Sequence, residues 1–163
     1  MTIRKALQKD LPAMLEIYNY EVLNSTATMD IHPKTLEERQ VWFDEHNTEN
    51  HPLIVAEIDG KVVGYASLSR YREKEAYRRT VELSVYIDKE YRERGIASAL
   101  MEYLIEEAKK DPEIHTIVSV ITGENQASVN LHEKFGFSLC GRVHEVGKKF
   151  GRYLDIINYE LIV

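Results

Sequence analysis

The segment Thr80–Ala108, TVELSVYIDKEYRERGIASALMEYLIEEA, decides the fold of this chain. Its first eight residues alternate between apolar and polar side chains, which is the period of a β-strand with two different faces. From Ile96 onward the apolar residues recur at intervals of three and four, which places them on one side of a helix. The segment therefore predicts a strand that leads through a short turn into an amphipathic helix.

The turn between the two elements is the stretch RERGIAS, and it has the features of an anion site. A helix N-terminus presents free backbone N–H groups and the positive end of the helix dipole. Small residues leave room for a ligand beside those groups, and two arginines add charge. An ordinary strand–helix connection remains the alternative. The residues of this candidate anion site are Arg92, Glu93, Arg94, Gly95, Ile96, Ala97 and Ser98.

Two common nucleotide-binding signatures are absent from the sequence. No two glycines are separated by one residue, which excludes the glycine fingerprint of dinucleotide-binding folds. The glycine-rich phosphate loop that ends in Gly-Lys-Ser or Gly-Lys-Thr is also absent. An anion at this turn is therefore not bound through either of these two motifs.

Composition narrows the class of protein further. At 163 residues the chain is expected to form a single domain, residues 1–163. Its net charge of −6 disfavours non-specific binding of nucleic acid. The N-terminus lacks the apolar core of a signal peptide, and no apolar run is long enough to span a membrane. The single cysteine, Cys140, suits a cytoplasmic protein, and its place in a strand pattern favours a core thiol over an acyl-enzyme nucleophile.

The remaining segments follow an α/β order. A first strand, Thr2–Ala6, precedes a helix for which Asp10 is the expected N-cap, and Thr35 opens a second helix with a capping box. Asp59-Gly60 separates two apolar runs and predicts a tight hairpin. Later elements are a strand over Thr116–Ile121, a helix over Gln126–Phe135, and strands over Phe137–Val146 and Tyr153–Ile162 joined by Gly147–Arg152. This order predicts an α/β fold with a mixed sheet.

A cationic segment, Arg70–Arg79, leads into the central strand. It contains five basic and two acidic residues. Such a segment is either a solvated connection between strands or a loop that receives an acidic small molecule. The sequence alone favours the solvated connection.

The central segment resembles the GNAT superfamily of acyl-CoA-dependent N-acyltransferases. Arg92, Gly95 and Ala97 match the family signature, in which Gln or Arg is followed at the third position by Gly and at the fifth by Gly or Ala. The resemblance implies a mixed sheet of about seven strands with about four helices, splayed apart at the acetyl-CoA site. It places the pyrophosphate of coenzyme A on the turn and the pantetheine arm on backbone at Val85, Tyr86 and Ile87.

Three further stretches resemble the phosphinothricin and methionine sulfoximine N-acetyltransferases: Ala76–Ile87, Leu131–Glu133 and Lys149–Asp155. The resemblance implies acetyl transfer from acetyl-CoA to the amine of a small amino-acid-like substrate. Substrate contacts are expected at Arg72, Glu73, Lys74, Glu82, Leu83 and Ser84, and a further cofactor contact at Asn125. Asn125 also directly precedes the next helix, where asparagine is a favoured N-cap, so capping is the alternative role. Glu93 stands where the family usually has glycine, and Leu83 where it often has histidine.

Glu82 is the candidate general base. A glutamate on a polar strand face is most often only solvated. Glu82, however, lies on the same strand as the expected pantetheine-binding residues, three residues before Val85. A carboxylate with a raised pKa there can accept the proton of the substrate ammonium. His132 is the second candidate, in a slot where many family members carry tyrosine. It is either a proton donor to the leaving thiolate or a partly buried histidine with a hydrogen-bond partner.

Two alternatives to this function remain open. Within the same reaction class, the acceptor is a protein N-terminus, a lysine or a polyamine. In a different class, the chain is a CoA-binding sensor without catalysis. The histidines show no metal-ligand spacing, so no metal is expected. Family analogy alone suggests a homodimer.

Overall fold

The computed structural model describes residues Met1–Val163, which form a seven-stranded sheet with four α-helices. The strands are β1 (Thr2–Lys5), β2 (Leu53–Ile58), β3 (Lys61–Arg70), β4 (Thr80–Ile87), β5 (Thr116–Thr122), β6 (Ser138–Lys149) and β7 (Arg152–Ile162). The helices are α1 (Leu11–Asn24), α2 (Leu36–Asp44), α3 (Ile96–Lys110) and α4 (Gln126–Lys134). This architecture confirms the predicted mixed α/β fold.

The strands lie in the order β1-β2-β3-β4-β5-β7-β6, and every neighbouring pair is antiparallel except β4 and β5. The parallel pairing is short, since only Thr80–Glu82 pair with Thr116–Val118. On its other side β4 remains paired with β3 as far as Ile87. The sheet therefore opens between β4 and β5 beyond Glu82.

A hydrophobic core lies on each face of the sheet. On one face, α3 buries Leu100, Met101 and Leu104 against Val81 and other apolar residues of the strands. Full burial of a leucine side chain contributes about 1.5–3 kcal/mol, so this helix is held firmly against the sheet. On the other face, α1 packs on a smaller core that contains Tyr65. The amphipathic pattern of the central segment thus fixes the position of α3 beside the opening.

Two predicted local motifs are present. The Thr35 hydroxyl accepts a hydrogen bond from the Glu38 N–H at 3.2 Å, and the Glu38 carboxylate accepts one from the Thr35 N–H at 3.2 Å. These reciprocal bonds satisfy two otherwise free donors at the start of α2. Asp59 and Gly60 both have positive φ, 49° and 77°, as the turn of a two-residue hairpin requires.

Three expectations were wrong. Asp10 occupies the N-cap position of α1, but its carboxylate does not make the expected capping bond; it accepts hydrogen bonds from the Leu7 N–H and from the Arg4 guanidinium. Cys140 is exposed rather than in the core, because β6 is an edge strand with mostly exposed side chains. The last two strands are joined by Phe150 and Gly151 alone, since β6 continues to Lys149. No helix of the fold combines the length and the apolar character needed to cross a bilayer.

Candidate active site

Strands β4 and β5 separate after three paired residues. Residues after Glu82 have partners on β3 but none on β5. Their backbone N–H and C=O groups on that side are therefore available to a ligand. Val85, Tyr86 and Ile87, the predicted pantetheine-binding residues, all lie in this unpaired part of β4.

The turn before α3 presents unoccupied donors. The N–H groups of Ile96, Ala97 and Ser98 donate no hydrogen bond within the chain, and no side chain caps the helix. Gly95 has φ of 77°, and a Cβ at this position would meet no atom within 4 Å. Glu93 also lies in the left-handed region, with φ of 60°. Free amides, an open side and the positive end of the α3 dipole together suit an anionic group such as a diphosphate.

The two arginines of the turn differ from each other. The Arg92 guanidinium forms an ion pair with the carboxylate of Glu21. Glu21 is a buried residue of α1, and its carboxylate also accepts a hydrogen bond from the Ser25 hydroxyl. Arg94 has no ion-pair partner, and its guanidinium lies 4.8 Å from the ring centre of Tyr91. The expectation that both arginines contribute free charge therefore holds for Arg94 only.

Asn125 lies at the same edge of the sheet, three residues after the end of β5 at Thr122. Its side-chain oxygen accepts a hydrogen bond from the Ser128 N–H at 3.2 Å, so it caps α4 as the sequence allowed. Its side-chain NH2 group donates no hydrogen bond within the chain, which leaves those donors for a ligand.

Glu82 lies where β4 and β5 separate. Ser69 of β3 faces it on one side and Val118 of β5 on the other. The carboxylate is half-buried, and burial alone raises its pKa, without a hydrogen bond or a neighbouring charge to oppose the shift. A carboxylate in this environment is a stronger base than a solvated one, as the candidate role requires.

The neighbours of Glu82 on β4 divide between the two faces of the sheet. Ser84 faces Ser67 of β3 on the same side as Glu82. The Leu83 side chain points the other way into the core beneath α3 and is 5% exposed. A contact between Leu83 and substrate can therefore involve only its backbone.

The His132 ring is 5% exposed, and both of its nitrogens have partners in the chain. Nδ1 donates to the Ser128 carbonyl at 2.7 Å, because a carbonyl can only accept. Nε2 lies 2.8 Å from the Ser119 hydroxyl and accepts from it. Burial lowers the pKa of His132, so the ring is neutral near pH 7. This geometry supports the structural alternative, since no N–H of the ring is free to be donated.

The loop between β3 and β4 begins near Glu82. Arg70 pairs with Glu73 at 3.0 Å, and the Arg72 guanidinium lies over Tyr71, 4.9 Å from its ring centre. Lys74 has no ion-pair partner. The loop is exposed and borders a cleft of about 440 Å³ whose other walls come from α2 and the segment after it. Nowhere in the fold do three or more His, Cys, Asp or Glu side chains group to hold a metal.

Sequence reasoning missed two polar residues beside the site. Glu21 falls on the apolar face of α1, one turn after Ile17 and Tyr18, and a carboxylate at such a position signals a buried partner. His46 bonds Ser69, the residue opposite Glu82. No sequence pattern indicated a role for His46, because it lies beyond the end of α2 in a segment without regular periodicity.

Comparison with known proteins agrees with this geometry. Residues 3–157 match the acetyltransferase (GNAT) domain family. The L-methionine sulfoximine/L-methionine sulfone acetyltransferase of Pseudomonas aeruginosa is 41% identical over 161 residues, which are 98% of this chain and 93% of the relative.

Two solved structures superpose closely on the fold. A ribosomal-protein-alanine N-acetyltransferase from Brucella melitensis has a TM-score of 0.96 and 41% identity, with 100% of each chain covered. A phosphinothricin acetyltransferase from Sinorhizobium meliloti in complex with acetyl-CoA has a TM-score of 0.94 and 34% identity, covering 99% of this chain and 88% of its own. The chain belongs to the GNAT acetyltransferase family and is an acetyl-CoA-dependent enzyme.

Proposed function

We propose that this enzyme acetylates the primary amine of a small amino-acid-like acceptor, of the methionine sulfoximine or phosphinothricin type, by direct transfer from acetyl-CoA. One observation carries the proposal: an unpartnered, half-buried carboxylate, Glu82, lies where the sheet opens. The names of the relatives support the choice of acceptor.

Acetyl-CoA supplies the acetyl group as a thioester, and the chain has groups suited to each part of it. The free amides at the start of α3, with the rest of Arg92–Ser98, would hold the diphosphate. Val85–Ile87 would hold the pantetheine arm through their unpaired backbone, and Asn125 would add a side-chain donor. A backbone N–H of this part of β4 would stabilise the negative charge that develops on the carbonyl oxygen.

Glu82 starts the chemistry. Its carboxylate accepts one proton from the substrate ammonium and so exposes the nitrogen lone pair. The nitrogen then forms a bond to the acetyl carbon, and the carbon–sulfur bond breaks with its electron pair on sulfur. As the nitrogen becomes an amide it loses its second proton, and that proton neutralises the departing thiolate. We assign His132 a structural role, because its ring has no free N–H to give in this last step.

The acceptor is placed between β4 and the loop that precedes it. The planar Arg72 guanidinium, which lies near the rings of Tyr71 and Tyr77, suits two hydrogen bonds to a carboxylate, and the nearby Lys74 adds a second positive charge. Glu73 is held by Arg70 and would shape this wall rather than contact the amine. Glu82 and Ser84 approach from the strand, with Leu83 contributing backbone alone.

A protein N-terminus is the second candidate acceptor, because the superposable Brucella melitensis structure is a ribosomal-protein-alanine N-acetyltransferase. The deciding experiment measures thiol release from acetyl-CoA with methionine sulfoximine, phosphinothricin, an alanine-initiated peptide, lysine and spermidine. We expect the highest kcat/KM with the first two compounds. Preference for the peptide, the lysine or the polyamine would overturn the acceptor assignment. Tight CoA binding without turnover of any amine would indicate a CoA sensor.

We also propose a homodimer that functions in the cytoplasm. The β6–β7 hairpin at the sheet edge exposes Leu139, Val143, Val146, Phe150 and Tyr153, an apolar surface that a second copy would cover. The exposed, unpaired Cys140 suits a reducing compartment. Light scattering after size exclusion tests the assembly: a dimer is expected, and Leu139→Asp should shift it towards the monomer. A monomeric wild type would contradict the proposal.

A further inference from the structure

Ser69 lies on the same side of the sheet as Glu82, directly across the β3–β4 ladder. Side chains paired in this way have Cβ atoms about 4.5–5.5 Å apart. Ser69 is partly exposed and, with His46 and Trp42, lines the 440 Å³ cleft beside the β3–β4 loop. A small molecule in this cleft therefore meets the Ser69 hydroxyl next to the candidate base.

The His46 ring determines the direction of that hydroxyl. His46 is 6% exposed, its Nδ1 lies 2.7 Å from the Trp42 carbonyl, and its Nε2 lies 2.7 Å from the Ser69 hydroxyl. Because a carbonyl only accepts, Nδ1 carries the proton of this ring. Burial lowers the pKa of His46 to about 4, so the ring is neutral at pH 7. Nε2 then has only a lone pair, and Ser69 must donate to it.

The Ser69 hydroxyl is therefore fixed in direction, as a donor to His46 and an acceptor towards the cleft. The one proton of Ser69 is directed at His46, and only its oxygen lone pairs remain to face the cleft. Such a group accepts hydrogen bonds and donates none. A substrate ammonium has three N–H donors, of which Glu82 needs one for proton transfer.

We propose that Ser69 is a substrate-binding residue that accepts a hydrogen bond from the acceptor ammonium beside Glu82, and that His46 is the positioning residue that fixes the Ser69 hydroxyl for this purpose. The inference rests on the proposed amine acetylation. It assigns the ammonium end of the substrate to Ser69 and Glu82, and leaves the acidic end to the β3–β4 loop.

The molecule contains a matched control for this pair. His132 and Ser119 make the same two hydrogen bonds on the other side of the sheet: Nδ1 to the carbonyl four residues earlier, and Nε2 to a serine hydroxyl on a strand. Ser119 is 1% exposed, however, and does not line the cleft. Ser119→Ala therefore removes an equivalent hydrogen bond without removing a contact to substrate.

The test compares steady-state kinetics of Ser69→Ala, Ser69→Thr, His46→Phe and Ser119→Ala, with methionine sulfoximine as the amine and thermal unfolding as the check on folding. Hydrogen bonds to charged groups are strong enough that Ser69→Ala should raise the amine KM by about 10- to 100-fold. The KM for acetyl-CoA should not change. Ser69→Thr should restore most of the amine affinity, and His46→Phe should raise the amine KM because the hydroxyl is free to turn. Ser119→Ala should lower thermal stability and leave the amine KM unchanged.

An amine KM within twofold of wild type in folded Ser69→Ala would overturn the inference, as would an equal rise in Ser119→Ala. Calorimetric binding of methionine sulfoximine to the CoA-loaded protein separates this failure from that of the proposed function. If the wild type neither binds nor acetylates the amine, the proposed function fails, and the inference with it. If the wild type does both and Ser69→Ala matches it, only the inference fails.

Discussion

Glu82 and His132 lie on opposite faces of the central sheet. His132 bonds the Ser119 hydroxyl, and Ser119 shares its face of β5 with Ile117, the residue paired with Val81. Glu82, the residue after Val81, points to the other face. The two candidate catalytic groups therefore lie on different sides of the opening between β4 and β5. Glu82 has no hydrogen-bond partner and suits the base role, whereas both nitrogens of His132 are bonded within the chain, which suits a structural role.

His132→Phe tests the structural role of that histidine. The substitution keeps a flat ring of similar size but leaves the buried Ser119 hydroxyl without its acceptor. An unsatisfied buried polar group costs about 1–3 kcal/mol, so urea unfolding should show a loss of stability in this range. We expect kcat to remain within about threefold of wild type. A general acid contributes about 100-fold or more, so a fall of kcat of that size with intact acetyl-CoA affinity would restore the proton-donor role.

Glu82→Gln tests the general base. The substituted amide cannot accept the ammonium proton, so kcat should fall by about 100- to 10,000-fold while the Kd for acetyl-CoA stays unchanged. In the wild type the carboxylate must be ionised to act, and its pKa is raised by burial. The rate should therefore rise with pH through that pKa, and this acidic limb should be missing in Glu82→Gln. An identical pH–rate profile in both proteins would remove Glu82 from the base role.

Although Glu82→Gln should lower the rate, it should raise the free energy of unfolding. Because the pKa of Glu82 is higher in the folded protein than in the unfolded chain, the protonated acid favours folding below the unfolded pKa. That contribution is lost as pH rises through the folded pKa, where a half-buried charge is created. Glu82→Gln should thus gain stability relative to wild type between acidic and neutral pH. Urea midpoints at several pH values measure this, and a difference that does not vary with pH would contradict it.

Gly95→Ala tests the phosphate site, and Gly60→Ala is its matched control. Both glycines have φ of 77°, and at neither would a Cβ meet an atom within 4 Å. Each alanine should cost about 1–2 kcal/mol of backbone strain, measured by unfolding. Only Gly95 adjoins the free amides of α3, so only Gly95→Ala should weaken coenzyme A binding, measured by calorimetry. Equal CoA affinity in both variants would place the diphosphate elsewhere.

Helices and strands whose apolar residues recur with a clear period were predictable from sequence alone. The strand and helix of Thr80–Ala108 are present as β4 and α3, because alternation and helical spacing each leave one arrangement that buries the apolar residues. The capping box of α2 and the Asp59-Gly60 hairpin were equally readable, since each depends on neighbouring residues. The burial of Cys140 was misjudged because the strand pattern does not reveal which strand lies at the sheet edge.

The polar contacts of the candidate site were less predictable. The pairing of Glu21 with Arg92 joins residues far apart in sequence and depends on how α1 packs beside the turn. The hydrogen bond between His46 and Ser69 likewise depends on how β3 lies against the segment that follows α2. Neither contact follows from local propensity, because each forms only when separate elements meet.

Arg92→Ala tests whether the pair between Arg92 and Glu21 supports the cofactor turn. Glu21 is 5% exposed, so the variant leaves a buried carboxylate with the Ser25 hydroxyl as its remaining side-chain partner. Loss of a partner from a buried group of this kind costs about 1–3 kcal/mol or more, which urea unfolding should detect.

Adding Glu21→Gln to Arg92→Ala should recover part of that loss, because the neutral amide no longer needs a counter-charge. Both variants should bind coenzyme A more weakly than wild type, since α1 no longer tethers the turn through a charged pair. Because Arg94, which directly precedes Gly95, keeps its charge in this variant, the loss should be smaller than in Gly95→Ala. If Arg92→Ala is as stable as the wild type, or if Glu21→Gln brings no recovery, the pair is a surface contact and the turn keeps its shape through its own backbone.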